Sequence, residues 1–254
     1  MPRFSANLGF LFADRPLPER IAAAAAAGFP AIELHWPYDV PAAEIRAAID
    51  RAGVAMLNLN MPVGAAGEFG LGALPGREGE FAAAFETALS YGEAIGASAV
   101  HCVAGLVQEG AAAEATFVAN LRQVADKAAR AGMTILIEPM NPRDRPGYLL
   151  SRVEQAAAII AATERRNVKI MFDAYHVQIT QGDLTRRLEA HLPLVGHIQI
   201  AAVPDRGEPD SGEVDFGWLC GWLDRSGYAG RVGAEYQPRG RTEDGLGWLR
   251  AWSA

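Results

Sequence analysis

A closed (β/α)8 barrel in one domain, residues 1–254, is the fold this sequence predicts. Three observations carry that expectation. Short β-type runs alternate strictly with longer helical stretches, eight such pairs follow one another, and no linker-like segment interrupts them. Strict alternation implies parallel strands joined by right-handed crossovers, with the helices outside. A chain of 254 residues also matches the usual size of such a barrel, about 250 residues. An open doubly wound sheet is the alternative. It would carry a glycine-rich phosphate fingerprint after its first strand, and Ala6-Asn7-Leu8-Gly9 is not one.

Phe4–Leu8 is the first β run, and a proline-punctuated loop leads to a helix over Glu19–Ala27, stopped by Gly28. Ala31–His35 is the second strand. Pro41–Ala52 is helical with Gly53 as its stop, because glycine adopts the left-handed conformation that ends a helix. Val54–Leu59 is the third strand. The glycine-rich stretch Met61–Gly76 that follows is long enough to be a lid or binding segment. A helix over Arg77–Ile95 leads to the fourth strand, Ser98–Val103, and a helix over Ala112–Ala131 to the fifth, Thr134–Pro139. Val153–Thr163 is the next helix, Val168–Asp173 the sixth strand, Asp183–Ala190 a helix and Val195–Ile200 the seventh strand. The loop Pro204–Gly212 precedes a helix over Phe216–Ser226. Val232–Glu235 is the eighth strand, and Asp244–Trp252 the last helix.

Half of the residues are hydrophobic, enough for a large core, and the net charge of −7 argues against nucleic acid or an anionic membrane as partner. Two cysteines, Cys102 and Cys220, lie far apart, which suits a reducing, cytoplasmic setting better than a disulfide scaffold. Met1–Asp14 lacks the pattern of a signal peptide, and the longest apolar tract, Ile21–Ala27, is far too short to span a membrane.

The chemistry is read from the strand ends. Thr134-Ile-Leu-Ile-Glu138-Pro139 is an apolar run that ends in a carboxylate, costly to bury unless a cation or hydrogen-bond donor meets it. The next three strands end similarly, in Asp173, Gln199 and Glu235, and in a barrel the chemistry gathers at those C-terminal ends. A single acid there is usually a solvated or hydrogen-bonded residue. Four oxygen donors on consecutive strands point instead to one shared metal ion. Oxygen ligands suit Mg2+ or Mn2+ better than zinc.

His176, three residues after Asp173, reads as a metal ligand, a substrate hydrogen-bonder or a buried histidine with its own partner, and its closeness to Asp173 favours substrate contact. Glu33 and His35 at the end of the second strand, and His101 at the end of the fourth, face the mouth by position. Alternation puts His197 one layer below Gln199, and Lys169 deep in the floor as a structural ion pair. His191, at a helix end, reads as solvated. Arg206 is the candidate to hold an anionic group, since a guanidinium fork matches a carboxylate; the alternative is a loop pair with Asp205 or Glu208. A metal that binds a hydroxycarbonyl through both oxygens acidifies the adjoining C–H and stabilises the ene-diolate. Glu138 and Glu235 could then move the proton as base and acid.

The assembled residues resemble the hydroxypyruvate isomerase family, within the xylose-isomerase-like TIM barrels. The resemblance covers nearly the whole chain. Trp36-Pro37-Tyr38-Asp39, Leu74-Pro75-Gly76-Arg77-Glu78, Ile137-Glu138-Pro139-Met140-Asn141, Asp173-Ala174-Tyr175-His176 and Gly196-His197-Ile198-Gln199-Ile200 carry it most specifically. It implies that Glu138, Asp173, Gln199 and Glu235 hold a divalent metal, and that the two glutamates exchange the substrate proton. It also implies that His176 and Arg206 touch a small anionic 2-oxo acid or sugar-like substrate. The reaction would be hydroxypyruvate to tartronate semialdehyde. Pro204-Asp205-Arg206 and Gln237-Pro238-Arg239-Gly240 also look like the related 2-oxo-tetronate isomerases. The third loop departs from both, with Met61-Pro62-Val63-Gly64 and with Phe69 where an arginine or tryptophan is usual.

Rival readings are a ketose 3-epimerase of the tagatose/psicose type, which uses histidine in place of Gln199, and an endonuclease-IV-like phosphodiesterase, which needs a histidine-rich site. A non-catalytic binding paralogue is the third. Trp248 and Trp252, read as exposed, are compatible with a homo-oligomer interface.

Overall fold

The structure, a computed structural model, describes residues 3–107 and 110–252. Met1 and Pro2, where the leader-free reading begins, lie outside the described residues. Eight parallel strands close in sequence order, and β1 (Arg3–Asn7) pairs with both β2 (Ala31–Leu34) and β8 (Arg231–Ala234). Between them run β3 (Ala55–Asn60), β4 (Ala99–His101), β5 (Thr134–Ile137), β6 (Val168–Asp173) and β7 (Val195–Ile200). The barrel expectation is met, and the element boundaries move by a few residues at most. Glu138 and Glu235 fall one residue beyond their strands, at the rim of the mouth.

The outer helices form because their apolar residues recur at helical spacing. In α3 (Glu78–Ile95) the buried positions are Phe81, Phe85, Ala88, Leu89, Gly92 and Ile95, one stripe against the barrel. The α2 helix (Ala42–Ala52) buries Ile45, Ala48 and Ile49 in the same way. The other long helices are α1 (Leu17–Ala26), α4 (Gly110–Arg130), α5 (Val153–Thr163) and α8 (Phe216–Arg225). A short helix not expected from sequence, α6 (Ala174–Thr180), starts directly at the end of β6, followed by α7 (Leu184–His191) and later α9 (Gly247–Trp252). Among the described residues no helix is long and apolar enough to cross a membrane. Cys102 and Cys220 are buried free thiols.

Two side-chain expectations are corrected here. Trp248 is fully buried, edge-on to Phe4 at 5.2 Å, and its indole N–H donates to Tyr236; it belongs to the core, not to an exposed face. Lys169 forms no floor ion pair. It reaches out of the barrel to donate to the Pro193 carbonyl at 2.9 Å. Beside it β7 carries an irregularity: Ile170 pairs with Val195, but Met171 pairs with His197, leaving Gly196 as the extra residue. A Cβ at Gly196 would stand 2.7 Å from Lys169 Cβ and 2.8 Å from Leu136 Cδ2, so only glycine fits this crowded floor.

Most of a barrel of this kind is filled by branched aliphatic side chains. Here the inward positions of the strands are largely polar, with Ser5, Asn7, Glu33, Asn58, Asn60, His101, Asp173, His197 and Gln199 all buried. Ala99, Leu136 and Met171 form a small separate apolar cluster. The main core lies between strands and helices.

The long loop between β3 and α3 is pinned rather than free. Its Gly72 and Ala73 amides donate to the carbonyls of Val103 and Ala104, and Asn120 Nδ2 donates to the Gly72 carbonyl at 2.8 Å. Arg77 pairs with Glu68 across the loop. Gly70, at φ +99°, sits so close to the next loop that a Cβ would lie 2.7 Å from the Val103 carbonyl oxygen. Gly70→Ala is therefore expected to cost about 1–3 kcal/mol in backbone strain alone. Thermal unfolding followed by circular dichroism should place its Tm roughly 3–10 °C below wild type. Superimposable melting curves would show that this approach does not hold the loop.

Candidate active site

The C-terminal strand ends surround a cavity of about 620 Å³, whose lining includes His35, His101, Glu138, His176, Arg206 and Glu235. Glu138, just past β5, is buried, and its Oε1 has no hydrogen-bond partner. His176 Nε2 stands 3.7 Å from Oε1, and His101 Nε2 stands 3.7 Å from Oε2. Burial, reinforced by the charges of Glu235 and Asp173, pushes the Glu138 carboxyl well above the usual range against the pull of Arg206.

Asp173 ends β6 and caps α6, its Oδ1 accepting from the Tyr175 amide at 2.9 Å. That cap explains why a helix begins there: a carboxylate at the N-cap satisfies one of the free amides. Its Oδ2 lies 3.3 Å from Arg206 Nη2. Burial pushes this carboxyl up to about 7, with Arg206 pulling the other way and Glu235 adding to the rise. Glu235 is the best supported of the three. Its Oε1 accepts from Asn7 Nδ2 at 3.1 Å and lies 2.9 Å from His35 Nε2, while Oε2 accepts from Arg206 Nη2 at 2.7 Å. Burial raises its pKa, but Arg206 and His35 outweigh that and hold it at about 2.

Gln199 pairs in register with Asp173 on one side and Gly233 on the other. Its Nε2 donates to Glu33 Oε2 at 2.8 Å, which fixes the amide and leaves Oε1 buried with no partner. Glu33 is the centre of a lower layer. Ser5 Oγ donates to its Oε1 at 2.6 Å, and His197 Nε2 lies 2.9 Å from the same oxygen without hydrogen-bond geometry. Burial opposes ionisation of Glu33, yet His197, Ser5 and Gln199 together lower its pKa.

The two upper histidines are neutral. Burial pushes His101 down to about 4, and burial together with Arg206 pushes His176 well below its ordinary value. The His176 tautomer follows from its neighbours. Its Nδ1 lies 3.2 Å from the Asn141 amide nitrogen, and a backbone N–H can only donate. In the neutral ring Nδ1 is the acceptor and Nε2 carries the proton, aimed between Glu138 and Asp173.

Arg206 is held between the rings of Phe10 and Tyr175, at 5.1 and 4.9 Å. Asp205 and Glu208, the loop acids that could have taken it, are both bound by Arg239. One atom each from Glu138, Asp173 and His176 lie within 4.8 Å of one another, close enough to share a metal ion, although the His176 nitrogen aimed at the two acids is the one that carries the proton.

The model of the xylose isomerase-like TIM barrel matches residues 21–252. The chain belongs to that family. A 2-oxo-tetronate isomerase of Cupriavidus necator is 45% identical, with 99% of each chain covered. The hydroxypyruvate isomerase of Escherichia coli is 38% identical over 98% of each chain. Among solved structures, that of an AP endonuclease, family 2, from Brucella melitensis superposes with a TM-score of 0.97 at 42% identity, covering 99% of each chain. The chain is an enzyme of the isomerase kind found in this family.

In this member of the family, Glu138, His101, His176, Arg206 and Glu235 line the cavity, and Asp173 and Gln199 lie buried beside them. Glu33 does not reach the mouth. Period-two alternation correctly turns both Glu33 and His35 inward, but His35 is the upper of the two and the one that meets Glu235. Sequence reasoning missed Asn7, Asn60 and Asn141, which orient Glu235, His101 and His176 respectively. Asn7 and Asn60 were findable, as buried-strand residues that end their own runs in an amide.

Replacing Glu33 strips partners from Ser5, Gln199 and His197 at once. Glu33→Ala should cost about 2–4 kcal/mol of stability. Calorimetry on the purified variant would register this as a clear loss in Tm, and a loss below one degree would show that the lower layer is not structural.

Proposed function

We propose that this enzyme is a divalent-metal-dependent isomerase of small 2-oxo-3-hydroxy acids, shifting carbonyl and hydroxyl between neighbouring carbons, with hydroxypyruvate to tartronate semialdehyde as its reaction. One observation carries the reading. Three buried carboxylates, Glu138, Asp173 and Glu235, converge where Arg206 is the cation that meets two of them, and two buried oxygens, Glu138 Oε1 and Gln199 Oε1, point to no partner. Such a group lacks positive charge, and its donors are hard oxygens, which fits Mg2+ or Mn2+. Glu138, Asp173, Gln199 and Glu235 would hold the ion. His176 would not ligate through Nε2, because that atom carries the proton.

The ion would supply Lewis-acid polarisation of the substrate oxygens. The chain does the rest. One of Glu138 and Glu235 removes a proton from the hydroxyl-bearing carbon and the other delivers one to the neighbouring carbonyl carbon, while the hydroxyl proton passes to the former carbonyl oxygen. His176 Nε2–H donates to a substrate oxygen, and the unpartnered His101 Nε2 accepts from a hydroxyl. Phe10 and Tyr175 shield Arg206 from water and so strengthen its pull on the carboxylates.

The 45% identity to a 2-oxo-tetronate isomerase supports a second reading, in which the acid has four carbons. The epimerase reading is weaker, since Gln199 stands where that type uses histidine. The phosphodiesterase reading is opposed by the −7 charge and by a carboxylate-dominated site.

Incubating the enzyme in D2O with Mn2+ or Mg2+ and following hydroxypyruvate, a 2-oxo-tetronate and ketohexoses by NMR should show solvent exchange at the carbon next to the carbonyl of an acid substrate. Exchange should cease on chelation. Deuterium uptake by none of them would falsify the isomerase reading. Glu138→Gln and Glu235→Gln should each lower kcat by about 10²–10⁴-fold. Near-normal turnover in either variant removes that residue from the proton-transfer pair.

A further inference from the structure

Arg206 is the cation nearest the chemistry, but its guanidinium is committed to Asp173 and Glu235. Arg145 is a second guanidinium on the cavity wall, in the loop after β5, and among the described residues no carboxylate pairs with it. Its only hydrogen bond from the side chain is Nη1 to the carbonyl of its neighbour Asp144, at 3.0 Å, and it makes no ion pair among the described residues. Its backbone is fixed: the Arg145 amide donates to the Asn141 carbonyl, and the Tyr148 amide donates to its own carbonyl. Its guanidinium carbon stands 4.3 Å from the ring centroid of Phe69. Phe69 is braced in turn, edge-on to Trp36 at 6.5 Å and to Tyr148 at 6.0 Å.

A guanidinium stacked on an aromatic face keeps its N–H edge free for a bidentate pair. The edge here borders the cavity, whose lining includes Arg145, Phe69 and His176. We propose that Arg145, held over the ring of Phe69, seats the substrate carboxylate at the rim while the reacting carbons lie between Glu138 and Glu235. The proposal rests on the isomerase reading and names its substrate class: short-chain acids, not neutral ketoses. Loop Met61–Gly76 selects the substrate by supplying the platform on which the arginine lies, not by contributing a charge of its own.

The test uses glycerate, a non-isomerising acid, titrated calorimetrically into the Mn2+-supplemented enzyme, together with D2O exchange of hydroxypyruvate and of its neutral analogue dihydroxyacetone. Arg145→Met should weaken glycerate binding roughly 10- to 100-fold, the loss typical of one charge-assisted pair. Arg145→Lys should restore part of it, and Phe69→Leu should fall between. The preference in kcat/KM for hydroxypyruvate over dihydroxyacetone should shrink by a similar factor in Arg145→Met, mainly through KM. Melting curves check that the variants are folded. Equal glycerate affinity in wild type and Arg145→Met overturns the proposal, as does a wild type that binds no glycerate at millimolar concentration. A wild type that binds glycerate through Arg145 yet exchanges no proton upholds the seat and removes the isomerase reading instead.

Discussion

The structure depends on how three buried carboxylates are kept together. Glu138, Asp173 and Glu235 sit within reach of one guanidinium, in surroundings where each charge is expensive. The fold meets that cost unevenly. Glu235 receives Asn7, His35 and Arg206, Asp173 receives a helix-capping amide and Arg206, and Glu138 receives two distant histidine nitrogens. The opposite pKa directions of Glu138 and Glu235 follow from this inequality, since burial is common to both and only the partners differ.

Much of the surrounding structure reads as support for that cluster. Arg239 takes up Asp205 and Glu208, which frees Arg206 to reach across the mouth. Asn141 clamps Nδ1 of His176 and thereby sets which of its nitrogens carries the proton. Beneath, Glu33 ties Gln199, Ser5 and His197 into one layer, so the amide oxygen of Gln199 faces the cluster and cannot turn away. A polar network in a barrel interior is favourable only when nearly every member is satisfied. Two of the unsatisfied atoms here, Glu138 Oε1 and Gln199 Oε1, are among the donors a cation would use.

The rim obeys different physics. Trp36, Phe69 and Tyr148 make edge-to-face contacts and offer broad apolar surface, and Trp36 is 41% exposed. Aromatic rings of this kind position a cation without neutralising it. Arg145 therefore keeps its charge available, whereas Arg206 has largely spent its own.

The sequence by itself determined the barrel, because period-two runs alternating with helical stripes allow few other packings. It also determined which strand ends carry acids, since an ionisable residue that ends an apolar run is visible without coordinates. The resemblance to known isomerases added the expected roles of those acids, and of His176 and Arg206. Only the tertiary structure decided depth. Glu33 and His35 share a strand face, yet one lies beneath the site and the other within it, because the strands are staggered and the pleat records side but not height. Whereas the Asp173 cap that starts α6 is local, a contact with the Tyr175 amide two residues on, the bulge at Gly196 likewise depends on neighbours brought close by closure of the barrel. So does the partner of Arg206: local sequence offered Asp205 and Glu208, and the competing guanidinium of Arg239 comes from a loop after the next strand.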